Sequence, residues 1–303
     1  MSSDIIVPKR IQIEVVFGCN AHCCMCPIDM PTDRKKGTMA MELFRKVADD
    51  LAPYNEQIEK VDLWGLGEPL LDRTIFDKIS YLKAKGYRNI AIATNGDLLD
   101  AQRQDKILDS GLDTVIFSID GVNKETHEAI RGGVDFDRVT DNARDIIHKR
   151  DRAGYKTRFV MRFIRQKNNI DEWKAFKNYW ENVIDRGKKD MIIGYDMHSW
   201  GGEIRGDGNP GGEGQDDISD IACHHLWDRF MVFWDGRVPL CCSDLHHGQY
   251  VLGDVNDHSP IQIFNGRKIT GLREIHSSGN KNSIKICREC NILSSEKKQE
   301  IIA

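Results

Sequence analysis

GCNAHCCMCP, residues 18–27, places four of the chain's nine cysteines within eight positions, directly after the β-like run IQIEVVF (11–17). A structural zinc site asks for four ligands, a disulfide for two and a redox pair for C-x-x-C. The stretch numbers as Cys19-x3-Cys23-x2-Cys26, with Cys24 left over. Three thiolates so spaced can hold three corners of a [4Fe–4S] cube and leave the fourth iron without a protein ligand. An open iron is a reaction site. A closed zinc site would need a fourth ligand from His22 or Cys24, and neighbours of a ligand rarely reach the same tetrahedral metal without strain.

The residues after this stretch alternate in texture. Apolar, β-branched runs at 11–17, 61–66, 89–94, 114–120, 157–164 and 191–197 alternate with segments of helical period at 41–52, 74–86, 101–111, 138–154 and 170–184. Strands apolar on both faces between helices charged on one face describe a parallel sheet covered by helices. The fold class expected is α/β: a partial (β/α)6, TIM-like barrel over residues 1–200. A Gly-rich connection without apolar period, GGEIRGDGNPGGEG (201–214), predicts a mobile linker over 201–222. From Cys223 to residue 303 a small α+β domain is expected. It should hold a hairpin, RFMVFWDGRVPLCC, turning at Asp235-Gly236, then a short helix near 267–276 and C-R-E-C at 287–290. The tail NILSSEKKQEIIA reads as solvated.

Composition excludes other classes. With 303 residues, 40% apolar, the chain can bury a sizeable core, and a net charge of −4 with scattered Lys and Arg offers no basic stripe for nucleic acid. The N-terminus MSSDIIVPKR lacks the apolar core of a signal peptide, and no apolar run is long enough to span a bilayer. A cytoplasmic protein is expected, without nucleic-acid or membrane partners. In a reducing compartment nine unevenly spaced cysteines favour metal or catalytic use over a disulfide framework.

The C-x3-C-x2-C motif, in the loop after the first barrel strand, resembles the signature of radical S-adenosylmethionine (SAM) enzymes; Met25 stands where that family usually has an aromatic residue. Gly65-Leu66-Gly67-Glu68-Pro69 resembles the family's GGEP motif, which holds the SAM amino group. Leu66 departs from the glycine pattern, so the contact is expected at Gly67, Glu68 and Pro69 more than at Gly65. Thr94-Asn95-Gly96 and Ser118-Ile119-Asp120-Gly121 are similar to the polar positions near the SAM ribose and carboxylate, and Arg131 in IRGG suits a carboxylate contact. Each of these alone reads equally well as a turn or cap. In order, at successive carboxyl ends of barrel strands, they imply a SAM site at Gly67, Glu68, Pro69, Asn95, Ser118, Asp120 and Arg131.

Downstream, Cys223, Cys241-Cys242 and Cys287-x2-Cys290 resemble the SPASM/twitch extension of that family. The resemblance implies one auxiliary cluster on Cys223, Cys241, Cys287 and Cys290, with a structural four-thiolate zinc site as the alternative. Which of Cys241 and Cys242 is the ligand stays open. Two [4Fe–4S] clusters and SAM are therefore the implied cofactors, with a flavodoxin- or ferredoxin-type electron donor.

By the family's mechanism, an electron from the open cluster cleaves SAM to a 5′-deoxyadenosyl radical that abstracts hydrogen from an unactivated carbon. Only eighteen residues precede Cys19, too few for the peptide-recognition domain of many relatives. The plan is similar to compact members that dehydrogenate or epimerise aminocyclitols and aminoglycosides. The expected reaction is dehydrogenation of a small polar substrate, a sugar, cyclitol or aminoglycoside-like molecule, with the auxiliary cluster taking the electron. Epimerisation with Cys242 as hydrogen-atom donor is the alternative, peptide maturation a third, and a non-enzymatic metal-binding electron carrier or scaffold a fourth. Asp196, His198, Arg162 and Asp244 are expected near the barrel mouth, where they suit hydroxyl or amino recognition.

Overall fold

The computed structural model describes residues 5–204 and 221–303. The strands are β1 (Arg10–Ile13), β2 (Val16–Phe17), β3 (His22–Cys23), β4 (Gly37–Thr38), β5 (Lys60–Asp62), β6 (Ile90–Thr94), β7 (Thr114–Ser118), β8 (Arg131–Gly132), β9 (Arg158–Arg165), β10 (Met191–Asp196), β11 (Arg229–Val232), β12 (Arg237–Val238), β13 (Gly253–Asp254) and β14 (Glu300–Ile302). The helices are α1 (Met41–Leu51), α2 (Ile75–Ala84), α3 (Ala101–Asp109), α4 (Lys124–Ile130), α5 (Phe136–Ala153), α6 (Trp173–Glu181), α7 (His225–Asp228), α8 (Pro260–Phe264), α9 (Arg267–Ser277), α10 (Lys285–Arg288) and α11 (Ile292–Lys297).

Six strands of the expected barrel, β1, β5, β6, β7, β9 and β10, lie parallel in that order. Helices α1, α2, α3, α5 and α6 each bury an apolar face against them, as Phe44, Val47 and Leu51 of α1 do. Helix starts follow cap chemistry: Asp100 and Asp135 accept from the backbone N–H three residues on, which satisfies first-turn donors of α3 and α5. No helix among the described residues is long and apolar enough to cross a membrane.

The sheet has eight strands rather than six, and both extra edges come from the C-terminal region. β11 pairs in parallel with β1, and β14 pairs antiparallel with β10. Two expectations change. The chain does turn at Asp235-Gly236, with Gly236 at φ +100 and Phe233 N donating to Arg237 O (2.8 Å) across the turn, but beyond that bond β11 takes its ladder from β1 while β12 pairs with β13. Phe230, Met231 and Val232 are all buried, a continuous apolar run that suits a sheet covered on both faces rather than a half-exposed hairpin. The supposedly solvated tail forms α11 and β14, because Ile302 has an unpaired edge to join and Glu300 receives Trp173 Nε1 (2.7 Å) and Lys177 Nζ (2.6 Å). Most of the Gly-rich linker, 205–220, lies outside the described residues.

The run 11–17 also breaks, at Glu14. That side chain is buried, ion-paired to buried Arg34, and the guanidinium lies between the rings of Phe17 and Phe233, 4.2 and 3.6 Å from their centroids. Arg34 also donates to Leu245 O. One buried cation thus ties the loop after the first cysteines to the C-terminal region.

Candidate active site

The inward faces of the barrel strands enclose a cavity of about 420 Å³, within the range of small-molecule sites. Cys19, Cys23 and Cys26 line it together at the carboxyl ends of the strands. Cys24 is exposed, its thiol directed to Gln166 Oε1 at 3.7 Å. Donors reach the lining sulfurs: Ala21 N lies 3.4 Å and Asn95 Nδ2 3.8 Å from Cys19 Sγ, and Arg131 Nη1 lies 3.6 Å from Cys23 Sγ. Burial pushes the free thiols up, Cys19 to about 11 and Cys26 to about 12, so a bound metal would have to supply the charge that deprotonates them. Three convergent thiols with N–H donors on sulfur fit an iron–sulfur cluster that keeps one iron open.

Around the thiols stand most of the residues expected at a SAM site. Gly67 lines the cavity where a Cβ would collide with the carbonyl oxygens of Val16 and Gly18, so only glycine fits. Gly65 lines it as well. The Glu68 carboxylate is buried and accepts from Leu70 N (3.1 Å), Thr94 Oγ1 (2.8 Å) and Asn95 N (2.8 Å). Burial raises its pKa to about 7, against those hydrogen bonds. Asn95 and Ser118 line the cavity; Pro69 does not, and starts a short 3-10 turn capped by Glu68.

Arg131 reaches the thiols by a route the sequence did not show. α4, capped by Asn123 on Thr126 N, ends at Ile130, and β8 then pairs antiparallel with β3, setting Arg131 opposite Cys23. Asp120 departs from its expected role. It is fully buried, absent from the cavity wall, accepts from Ile164 N (2.6 Å) and pairs with Arg131 Nη2 at 2.7 Å. Its carboxylate thus meets Arg131 and the Ile164 N–H and does not line the cavity.

A second set of thiols lies beside the barrel. Cys223, Cys241, Cys287 and Cys290 line one small, largely apolar cavity, with Ser243 Oγ 3.2 Å from Cys290 Sγ. Four thiols facing one space fit a closed site with every metal position held by protein. Cys241 and Cys242 part company here. Cys242 faces the 420 Å³ cavity instead, its sulfur 3.7 Å from His225 Nδ1, whose Nε2 lies 2.9 Å from Glu296 Oε1. Burial would raise the Cys242 thiol, yet Arg229 and His225 outweigh it and hold it below the usual thiol range. His225 and Glu296 were missed; the first was visible only as part of C-H-H, and the second sits in the tail expected to be solvated.

The polar residues expected at the mouth divide. Arg162 and His198 line the cavity, and burial, with Arg162 nearby, lowers His198 to about 4, so it is a neutral imidazole. Asp196 pairs with Arg165 (2.8 Å) outside the cavity. Asp244 is buried in a turn, accepting from Leu240, Gln249 and Tyr250 N–H groups, and has no access to the cavity.

Comparison with known proteins agrees with this division. The Radical SAM superfamily model matches residues 13–162, and the model for the SPASM iron–sulfur cluster-binding domain matches 223–291, together more than two thirds of the chain. This chain belongs to the radical SAM superfamily. The radical SAM region carries the three-thiol set, which implies a [4Fe–4S] cluster and SAM; the SPASM region carries the four-thiol set, which implies auxiliary iron–sulfur binding. The crystal structure of BtrN in complex with AdoMet and 2-DOIA superposes with a TM-score of 0.63 at 17% identity, over 94% of this chain and 93% of that one. Native anSMEcpe with bound AdoMet gives 0.67 at 17%, over 93% and 89%. At these identities the likeness is one of fold. A tungsten-containing aldehyde ferredoxin oxidoreductase cofactor-modifying protein of Pyrococcus furiosus is 24% identical over 58% of this chain and 49% of its own length. An AdoMet-dependent heme synthase of Methanosarcina barkeri is 32% identical over 41% of this chain and 35% of its own length, so the chain spans half or less of each of these two relatives.

Proposed function

We propose that this radical SAM protein dehydrogenates a carbon of a small polar molecule of sugar or cyclitol size. One observation carries the reading: three thiols open into a 420 Å³ chamber while four thiols close a separate site beside it. Cys19, Cys23 and Cys26 would hold the SAM-binding cluster, and Cys223, Cys241, Cys287 and Cys290 the auxiliary one. When bound, these groups supply a radical that removes one hydrogen atom and an acceptor for the second electron, the accompanying proton leaving to a base. The chain's own part is placement. Gly67 brings its backbone against the chamber, Arg131, fixed by Asp120, offers a cation for a carboxylate, and Glu68, Thr94 and Asn95 form one hydrogen-bonded shelf. The redox partner is a flavodoxin- or ferredoxin-type protein.

The position of Cys242 on the chamber wall favours a second reading, epimerisation, in which its S–H gives a hydrogen atom to the substrate radical. Solvent deuterium separates the two. An epimerase incorporates one deuterium from D2O into product and Cys242→Ala stops epimer formation while 5′-deoxyadenosine still forms. The dehydrogenase reading expects a product two hydrogens lighter, made by wild type and by Cys242→Ala alike. Absence of SAM cleavage by the reduced, reconstituted protein contradicts both.

A further inference from the structure

Away from both cavities, Glu203, His246 and His247 bring three side chains to one point. A carboxylate oxygen and two imidazole nitrogens lie there within 4.8 Å of one another, and none of the three residues lines the chamber or the four-thiol cavity. Two turns make the meeting. In the first, Gly201 (φ +68) and Gly202 (φ +94) take left-handed backbone and Ile204 N donates to Ser199 O (3.0 Å), which fixes the turn that carries Glu203. A Cβ on Gly201 would collide with the Ile286 side chain, so this turn needs glycine. In the second, Gly248 N donates to Asp244 O (3.0 Å), the Asp244 carboxylate accepts from Gln249 N and Tyr250 N, and Thr32 Oγ1 donates to His246 O (2.9 Å). The two histidines are held between these bonds.

Neighbours in sequence rarely reach one metal, but these two meet Glu203 through different nitrogens. His246 uses Nδ1, close to its backbone, and His247 uses Nε2, at the far end of its ring, with the ring centroids 4.3 Å apart and the planes at 52°. His246 is buried, and its Nε2 lies 3.3 Å from Met30 O. A carbonyl only accepts, so the ring proton sits on Nε2 and Nδ1 keeps its lone pair, the arrangement that metal-ligating histidines adopt. That lone pair faces Glu203 Oε2 within hydrogen-bonding distance, and an ionised carboxylate also only accepts. A proton or a metal ion must lie between them. His247 favours the metal: its Nε2 is 3.6 Å from Glu203 Oε1, beyond a hydrogen bond. That spacing is close to the about 3.3 Å between ligand atoms of a tetrahedral site with bonds of about 2.0–2.1 Å. One proton serves one imidazole, whereas one metal ion serves both and the carboxylate. Burial raises the Asp244 carboxyl and Glu203 adds like-charge repulsion to it, so a cation here relieves two acids.

We infer that Glu203, His246 and His247 bind one divalent transition-metal ion, of which zinc suits two imidazoles and a carboxylate, at a site distinct from both thiol sets. The His247 side chain is 35% exposed, so water can complete the shell on its side. Bound there, the ion clips the turn at 199–204 to the segments at 30–32 and 244–247, along the seam that Arg34 also bridges. The inference does not depend on the proposed function.

Zinc chloride is the probe. The anaerobically reconstituted holoenzyme is passed over a chelating resin, incubated with the salt, desalted and assayed for zinc, iron and sulfide, and its zinc K-edge X-ray absorption is recorded. About one zinc per chain is expected at unchanged iron and sulfide, in a shell of nitrogen and oxygen at about 2.0–2.1 Å. Glu203→Gln and His247→Ala, at side chains that are not fully buried, should each weaken zinc binding at least about tenfold while keeping their iron. No zinc above a protein-free blank, sulfur neighbours at about 2.3 Å, or equal affinity in wild type and both variants overturns the proposal. The absorption spectrum is read on wild type alone, so a variant that fails to fold leaves the test decisive.

Discussion

Single side chains in this protein divide between those that meet the chamber and those that aim them. Arg131 and Asp120 show the split: both are buried, yet only the arginine lies on the wall. A third member, His127, is buried against Phe136 at 5.3 Å and accepts from Asp120 N at 3.3 Å through Nδ1. Burial, with Arg131 adding repulsion, lowers its pKa to about 3 from 6.5. The sign of the pH effect follows. Between pH 6.5 and about 3 the unfolded chain binds a proton that the native state refuses, so stability falls as pH falls, by about 1.4 kcal/mol per unit well inside that window. In urea unfolding, lowering the pH from 7.5 to 5.5 should cost wild type about 1.4 kcal/mol more than it costs His127→Gln, because the other shifted groups, Glu68 and His198 among them, titrate alike in both. An unchanged slope in the variant would place the proton uptake elsewhere.

At the scale of elements, the C-terminal edge strand is the most testable. β14 supplies three ladder partners to β10, and Glu300 takes Trp173 Nε1 and Lys177 Nζ. Deleting residues 299–303 should cost roughly 2 kcal/mol, because a few backbone bonds are lost and the half-exposed ion pair adds little. A lowered urea midpoint with an unchanged m-value checks this, and an unchanged midpoint contradicts it. How legible each element was has a physical reason. The barrel strands announced themselves because five of the six are apolar runs followed by a long amphipathic helix, as Ile90–Thr94 is by Ala101–Asp109, and the sixth, β10, closes the alternation. β3 and β8 were not legible, for each is two residues long and is made by pairing across more than a hundred positions. β14 failed for the same reason: EII within a polar tail has no local signal, only an edge waiting far away. Among site residues, cysteine spacing showed the first three thiols, while Gly67 and the four C-terminal thiols rested on the resemblance to the family's motifs. Spacing could not show that Asp120 turns away from the chamber, or that adjacent Cys241 and Cys242 face different cavities.

On the scale of the whole molecule, the radical SAM and SPASM regions share one sheet. β11 extends the barrel at β1, β14 extends it at β10, and Arg34 bridges Glu14 to Leu245. Such a seam holds the two thiol sets in a fixed relation, and Cys242, the neighbour of Cys241, stands on the chamber wall, an arrangement that the proposed transfer of an electron or a hydrogen atom would use. The central claim is that one thiol set holds an open cluster and the other a closed one. Iron and sulfide quantitation with EPR, on anaerobically reconstituted wild type and on a Cys19/Cys23/Cys26→Ala variant, each with and without SAM, measures it. The account predicts about eight irons in wild type and about four in the variant, with SAM perturbing the spectrum of wild type alone. About four irons in wild type and none in the variant, with zinc bound alongside, would contradict it.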